Sequence, residues 1–223
     1  MINLTQKEET MEQASLKETT FCDFNHSAIS SLAKKLADGE TNTRKITQSV
    51  FKHVRDNIRF GFDIVQVKAS ETLEKGYGVC WNKALLMVAL LRRNKIPARL
   101  AYNPVKRDFM RPAMGDAIDT LPETMNHCFA QVQLDGEWIA IDATLDDATY
   151  QKLFVPHNVA WGIDWNGKED IRLYTENIAG PVDIFEDIDA AIQQNVGNTM
   201  PPPSEAEAFF GPANQQMWQA VAG

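Results

Sequence analysis

Cys80 is the residue in this chain best placed to do chemistry. It follows Gly76-Tyr77-Gly78-Val79 and precedes Trp81-Asn82-Lys83-Ala84, so a lone thiol stands between a glycine-rich turn and the start of a very apolar run. From Ala84 to Leu91 the chain is apolar on every face, which predicts a helix running through the core rather than along the surface. Cys80 then falls in the first turn of that helix. There the unpaired backbone N–H groups and the positive end of the helix dipole favour a thiolate and offer donors to a developing oxyanion. A free cysteine beside an apolar helix is also commonly a small core residue. The thiol alone does not decide between the two roles.

A candidate acid/base pair lies downstream. Asn126-His127-Cys128-Phe129-Ala130-Gln131-Val132-Gln133-Leu134 runs into Asp135-Gly136, and Glu137-Trp138-Ile139-Ala140-Ile141-Asp142 follows. Asp-Gly between alternating apolar runs predicts a two-residue hairpin turn. Leu134 then pairs with Glu137, and His127 faces Thr144. Asp142 is a diagonal neighbour of His127 on the same sheet face, about 7–8 Å away at the backbone and within side-chain reach. A carboxylate on the Nδ1 side would orient the imidazole and leave the other nitrogen to take a proton from a thiol. A strand-end histidine held by backbone, or a turn aspartate, is the plainer role for either residue alone. A thiol, an imidazole and a carboxylate positioned together point to nucleophilic catalysis.

These residues resemble the transglutaminase-like superfamily of papain-type cysteine enzymes. The resemblance rests on Gly78-Val79-Cys80-Trp81-Asn82-Lys83-Ala84, on the Arg92–Arg99 stretch ending Ile96-Pro97-Ala98-Arg99, and on His127 followed by Gly136-Glu137-Trp138 and Ile141-Asp142-Ala143-Thr144. It spans roughly residues 42–149. Asp-Ala-Thr stands where many relatives carry Asp-Pro-Thr. The resemblance implies an α+β, papain-like fold in which a helical lobe carrying Cys80 packs on an antiparallel sheet carrying His127 and Asp142. It also implies a nucleophilic Cys80, His127 as general base and acid, and Asp142 as its orienting carboxylate. A thioester would form from an amide or ester carbonyl and pass to water or to an amine. The substrate would be a peptide, a protein or a small amide or ester. Peptidase or amidase chemistry is placed slightly ahead of acyl transfer. The alternative is an inactive peptide-binding domain of the same fold. No metal or organic cofactor is required.

Other residues fit around this centre. Trp81 is a candidate to cover the thioester, beside the backbone donors of Cys80 and Trp81. Trp161 and Trp165 could line an acyl-acceptor pocket, although two tryptophans four apart are more often packing. Lys83 reads as an exposed or snorkelling side chain. Asp183, Glu186, Asp187 and Asp189 lack the glycine and final glutamate of a calcium loop and read as a solvated helix start.

The elements that must position the site are readable in outline. Helices are predicted over 27–36, stopped by Gly39, and over about 43–58 with Ile46, Val50, Phe51 and Val54 buried. An extended stretch follows at 57–62. A strand is expected from Ala98 to Asn103. Residues 104–125, with Pro104, Pro112 and Pro122 and with Met110 and Met114, read as a long loop overhanging the site and selecting substrate. A helix is expected over about 184–193 and a last one over about 214–222, after the stiff Pro201-Pro202-Pro203 linker. This divides the chain into a polar arm (1–20), a catalytic domain (21–199, core motifs 42–149) and a proline-linked helical tail (200–223).

With 223 residues and 44% hydrophobic content the chain can bury one well-packed core. A net charge of −8 without a dense basic cluster argues against a nucleic-acid partner. The first residues lack a basic and apolar leader, and no apolar run is long enough for a membrane span, which predicts a cytoplasmic protein. Cys22, Cys80 and Cys128 cannot all pair and fit no zinc spacing, so free thiols are expected. The sequence leaves the oligomeric state open.

Overall fold

The computed structural model describes residues 14–159, 161, 164–185, 187–194 and 201–223. The predicted arm therefore lies mostly outside the described residues, as does Glu186 of the acidic cluster.

The first two helices form where predicted. Helix α1 (Ser27–Leu36) is capped by the His26 side chain, which accepts from the Ala28 N–H, and buries Ile29 and Ala33. Helix α2 (Thr43–Asn57) is capped by Asn42 and turns Ile46, Val50, Phe51 and Val54 inward. A short strand β1 (Arg59–Phe60) follows. After it come helix α3 (Ala69–Lys75), ended by Gly76 in the left-handed region, and strand β2 (Tyr77–Gly78), which pairs with β1 in parallel.

Helix α4 (Cys80–Arg93) is the central element, and every residue from Trp81 to Arg92 is buried. It shares one core with Leu100, Cys128, Ala130 and Val132 of the sheet. That sheet is antiparallel: β3 (Ala98–Lys106), β4 (Thr124–Leu134), β5 (Glu137–Ile141) and β6 (Asp183–Ile184) lie in the order β5-β4-β3-β6. Asp135 and Gly136 both take positive φ, 54° and 88°, as a two-residue hairpin demands. The register is the predicted one, with Leu134 opposite Glu137 and Ala130 opposite Ile141.

Four expectations change. Residues 104–125 are not a structureless loop: β3 runs on to Lys106 opposite Thr124, and helical turns fill the connection. Arg107 and Arg111 both pair with Asp119, and Arg111 also pairs with Asp108, local links that leave no apolar periodicity to read. The helix expected over 184–193 begins only at Ile188 (α5, Ile188–Gln194), because Asp183 and Ile184 instead extend the sheet beside Tyr102 and Ala101. Asp189 on α5 does not sit in solvent alone; its carboxylate accepts from the Thr20 and Phe21 N–H groups. The last helix, α6 (Ala206–Ala222), starts eight residues earlier than expected and carries Pro212 inside it.

The three cysteines are free. Among the described residues no helix is long and apolar enough to cross a membrane, and no group of three or more His, Cys, Asp or Glu could hold a metal ion.

Candidate active site

Cys80 is the first residue of α4 and is half-buried. Its position is set by the turn before it. The Asn82 Oδ1 accepts from the Val79 N–H at 3.0 Å, and the Asn82 Nδ2 donates to the Ile64 carbonyl at 2.9 Å. One buried amide thus ties the helix start to the chain below it. Gly78 makes this possible: a Cβ there would stand 2.6 Å from the Asn82 Cβ. The Lys83 N–H donates to the Val79 carbonyl as the first helical bond, so the earlier N–H groups of the turn are the donors that helix geometry leaves for an anion.

His127 lies on β4 and Asp142 one residue beyond β5. Their side chains meet at 2.7 Å, both essentially buried. The hairpin register explains the meeting, since a two-residue loop brings these positions to the same face. The nitrogen differs from expectation. It is Nε2 that meets the Asp142 Oδ2, and Nδ1 is left buried without a hydrogen-bond partner. With Asp142 reached through the far nitrogen, the nearer one is free for a neighbouring element. Cys80 approaches the ring closely enough to favour the imidazolium, but short of formed hydrogen-bond geometry at Nδ1.

Burial would discharge this imidazole, yet the Asp142 carboxylate, with Cys80, outweighs it and raises the pKa of His127 to about 10. Burial likewise works against the Asp142 charge. His127, the Thr144 side chain and the Leu173 N–H at 3.1 Å overcome it and hold the carboxyl below its ordinary range, and the Thr144 N–H also donates at 3.1 Å. The pair is therefore a buried ion pair with its remaining lone pairs satisfied by backbone donors.

Aromatic rings wall the imidazole. Tyr174 stands edge-on to it with centroids 5.1 Å apart, and Phe109, from the connection over 104–125, packs on both at 6.1 and 4.3 Å. Tyr174 has φ +60°, an uncommon backbone conformation for a bulky side chain, and its buried Oη has no hydrogen-bond partner. Beyond these rings a cavity of about 230 Å³ is lined also by Arg111, His157, Asn158 and Glu176. Nothing in Ile171-Arg172-Leu173-Tyr174 marks it as part of a site, because its contribution is a backbone donor and a ring placed by long-range packing.

The remaining candidates scatter. Trp81 is buried against Phe185 at 4.8 Å, and Phe185 stacks on Tyr102. Trp161 packs edge-on to Tyr150, with its Nε1 buried and unpartnered. Trp165 packs on Phe51 of α2 and donates to the Glu169 carbonyl at 2.7 Å, a structural setting. Lys83 corrects the expectation of an exposed side chain: it is 1% exposed, and its Nζ donates to the Ile58 carbonyl at 2.6 Å. A helix buried on every face leaves it no route to solvent. Burial lowers its pKa to about 7 against the pull of Asp146 and Asp142.

The sequence profile of the transglutaminase-like superfamily matches residues 30–143, a segment that holds Cys80, His127 and Asp142. Among solved structures, similar chains include a Cytophaga hutchinsonii protein provisionally described as a cysteine protease, 20% identical, with a TM-score of 0.47 over 79% of this chain and 51% of that one. Red sea bream transglutaminase is 10% identical, with a TM-score of 0.47 over 96% of this chain and 46% of that one. A Parabacteroides distasonis protein provisionally described as a protease is 14% identical, with a TM-score of 0.40 over 61% and 26%. The chain thus spans about half the length, or less, of these structures. No curated protein sequence matches it.

Proposed function

The chain belongs to the transglutaminase-like superfamily, and from that premise we propose that it is a thiol enzyme acting on an amide or ester carbonyl. Cys80 is the nucleophile, His127 the proton carrier and Asp142 the group that holds the imidazolium. The observation that carries this reading is the buried His127–Asp142 pair at 2.7 Å, with Nδ1 unpartnered and a helix-terminal thiol beside the ring.

In the proposed cycle the proton of the Cys80 thiol already stands on Nδ1 of the charged imidazole before substrate arrives, and the sulfur, as thiolate, adds to the carbonyl carbon. The oxyanion is held by N–H groups in the first turn of α4. As the tetrahedral intermediate collapses, the carbon–nitrogen or carbon–oxygen bond breaks and the imidazolium returns the proton to the leaving amine or alcohol. The resulting thioester is then attacked by water, or by a second amine, with His127 taking the new proton. Asp142 stays ionised throughout and stabilises the charged ring.

The substrate is a peptide or protein carbonyl, with hydrolysis ahead of amine transfer. Both routes share the thioester, so one experiment reads them together. Casein is supplied as acyl donor with and without a fluorescent primary amine, and peptide release and amine incorporation are followed. The reading expects one or both products from the wild type and neither from Cys80→Ala. Equal product from both proteins contradicts it.

A further inference from the structure

Strand β1 uses one edge to pair with β2, through Arg59 N–H to the Gly76 carbonyl and Gly61 N–H to the Gly78 carbonyl. Its other edge carries the alternating groups that a neighbouring strand would meet, namely the N–H and carbonyl of Phe60 and of Phe62. All four are met by side chains. The Phe60 N–H donates to Asp146 at 2.7 Å, and the Phe60 carbonyl accepts from the Trp218 Nε1 at 2.8 Å. A single amide serves Phe62: its N–H donates to the Asn214 Oδ1 at 2.6 Å, and its carbonyl accepts from the Asn214 Nδ2 at 2.9 Å. That is the donor and acceptor pair one residue of an extended chain would supply.

The helix that brings Asn214 and Trp218 turns a narrow face to the body, with Ala206 and Phe210 on Ile64 and Val67 and Phe210 stacked on Phe62 at 6.5 Å. Along α6 only Ala206, Gly211, Asn214 and Met217 are buried, and Pro212 removes a donor from its middle. It follows Pro201-Pro202 and a helical turn over Pro203–Glu205. Against the body it adds the Tyr77–Trp218 ring contact at 5.3 Å, the Tyr77 hydroxyl donating to Glu207 at 2.7 Å, and Arg59 over the Trp218 ring at 4.8 Å. Edges exposed to solvent are templates for strand addition, and covering one with a helix is a common protection. Here the covered edge belongs to the strand pair whose second member leads into Cys80 across a single residue, Val79.

We propose that the outer edge of residues 60–62 is a docking edge for the main chain of an extended polypeptide substrate, and that α6, which holds three of its four groups while Asp146 holds the Phe60 N–H, is an internal competitor for it. The proposal rests on the thiol-enzyme reading for the identity of the occupant as substrate. A strand added there would lie about 10 Å from β2, two inter-strand spacings away, so only a few extended residues separate it from Cys80. Binding is then taxed by the fraction of molecules in which α6 holds the edge.

The test measures binding rather than turnover. Full-length protein carrying Cys80→Ala is titrated into fluorescein-labelled β-casein, an unfolded chain, and anisotropy gives the affinity. Amide exchange at Phe62 reports in parallel whether the edge is open. Two routes release the helix. Asn214→Ala with Trp218→Phe removes the mimicking groups. Gly61→Ala leaves both in place but puts a Cβ 2.9 Å from the Trp218 and Tyr77 rings. The proposal expects faster Phe62 exchange and roughly ten-fold or tighter casein binding by either route. Faster exchange with unchanged or weaker binding overturns it, as does a Phe62 amide that neither route exposes. Because the assay omits the thiol, a failure of the proposed chemistry would leave its outcome unaffected.

Discussion

His127 and Asp142 stand fifteen residues apart in the chain and 2.7 Å apart in space, joined through Nε2 so that Nδ1 is the nitrogen left for another group. A carboxylate on the far side of the ring stabilises the imidazolium. In the proposed cycle the two ring nitrogens therefore take separate tasks, one to hold and one to transfer.

Replacing Asp142 by Asn keeps the shape of the pair and removes its charge. The turnover rate is expected to fall by roughly 10²–10⁴ with little change in KM, since the loss is in stabilising the charged ring. Steady-state kinetics on any substrate found with casein or its peptides checks this. A rate within a factor of two of wild type would mean that another group orients His127.

The same pair sets a stability profile. His127 is raised in the fold, so its contribution is complete below the ordinary histidine value near 6.5 and is lost as pH climbs toward about 10. Asp142 is lowered, so its share is complete above the ordinary aspartate value near 3.9 and is lost as pH falls through its depressed folded value. Denaturant melts across pH should show these two losses in the wild type. Asp142→Ala, which strands a buried imidazole, should cost about 3–5 kcal/mol at neutral pH.

Lys83 bends the profile the other way. Its pKa is depressed by burial, so the fold is penalised at and below about pH 7 and relieved as pH rises toward 10. Lys83→Met removes that penalty and leaves the Ile58 carbonyl without its donor, at a cost of about 1 kcal/mol. The stability difference between variant and wild type should favour the variant most at acid pH and shrink as pH approaches 10. A difference that is flat with pH would show that the ammonium is not penalised.

Gly78→Ala tests the turn before the thiol. The new methyl would meet the Asn82 Cβ at 2.6 Å, and neither group can retreat without moving the start of α4. A loss of about 1–3 kcal/mol is expected, together with slower alkylation of Cys80. An unperturbed alkylation rate would separate the turn from the site.

Much of this site was legible because short-range rules fixed it. A two-residue Asp-Gly loop permits one register, and that register alone brings residues 127 and 142 to one face. The wholly apolar run after Ala84 forced α4 into the core and put Cys80 at its start. The same fact should have buried Lys83, whose single polar atom found a carbonyl at the end of α2 instead of solvent. What was not legible depends on distant partners. Tyr174 owes its place to Phe109 and His127, and the Leu173 N–H to Asp142, none of them near in sequence. The last helix, expected only from about 214, starts at Ala206 and runs through Pro212, because Ala206 and Phe210 pack on Ile64 and Val67 while Asn214 and Trp218 bond to Phe62 and Phe60.

The proposed cycle depends on a nucleophilic Cys80 whose proton rests on His127. Brief iodoacetamide treatment at about pH 6, followed by intact-mass spectrometry, tests it on the wild type, Cys80→Ala and His127→Ala. One fast adduct is expected on the wild type, none in the same time on Cys80→Ala, and labelling slowed roughly ten-fold or more on His127→Ala. A Cys80 that reacts no faster in the wild type than in His127→Ala would contradict it.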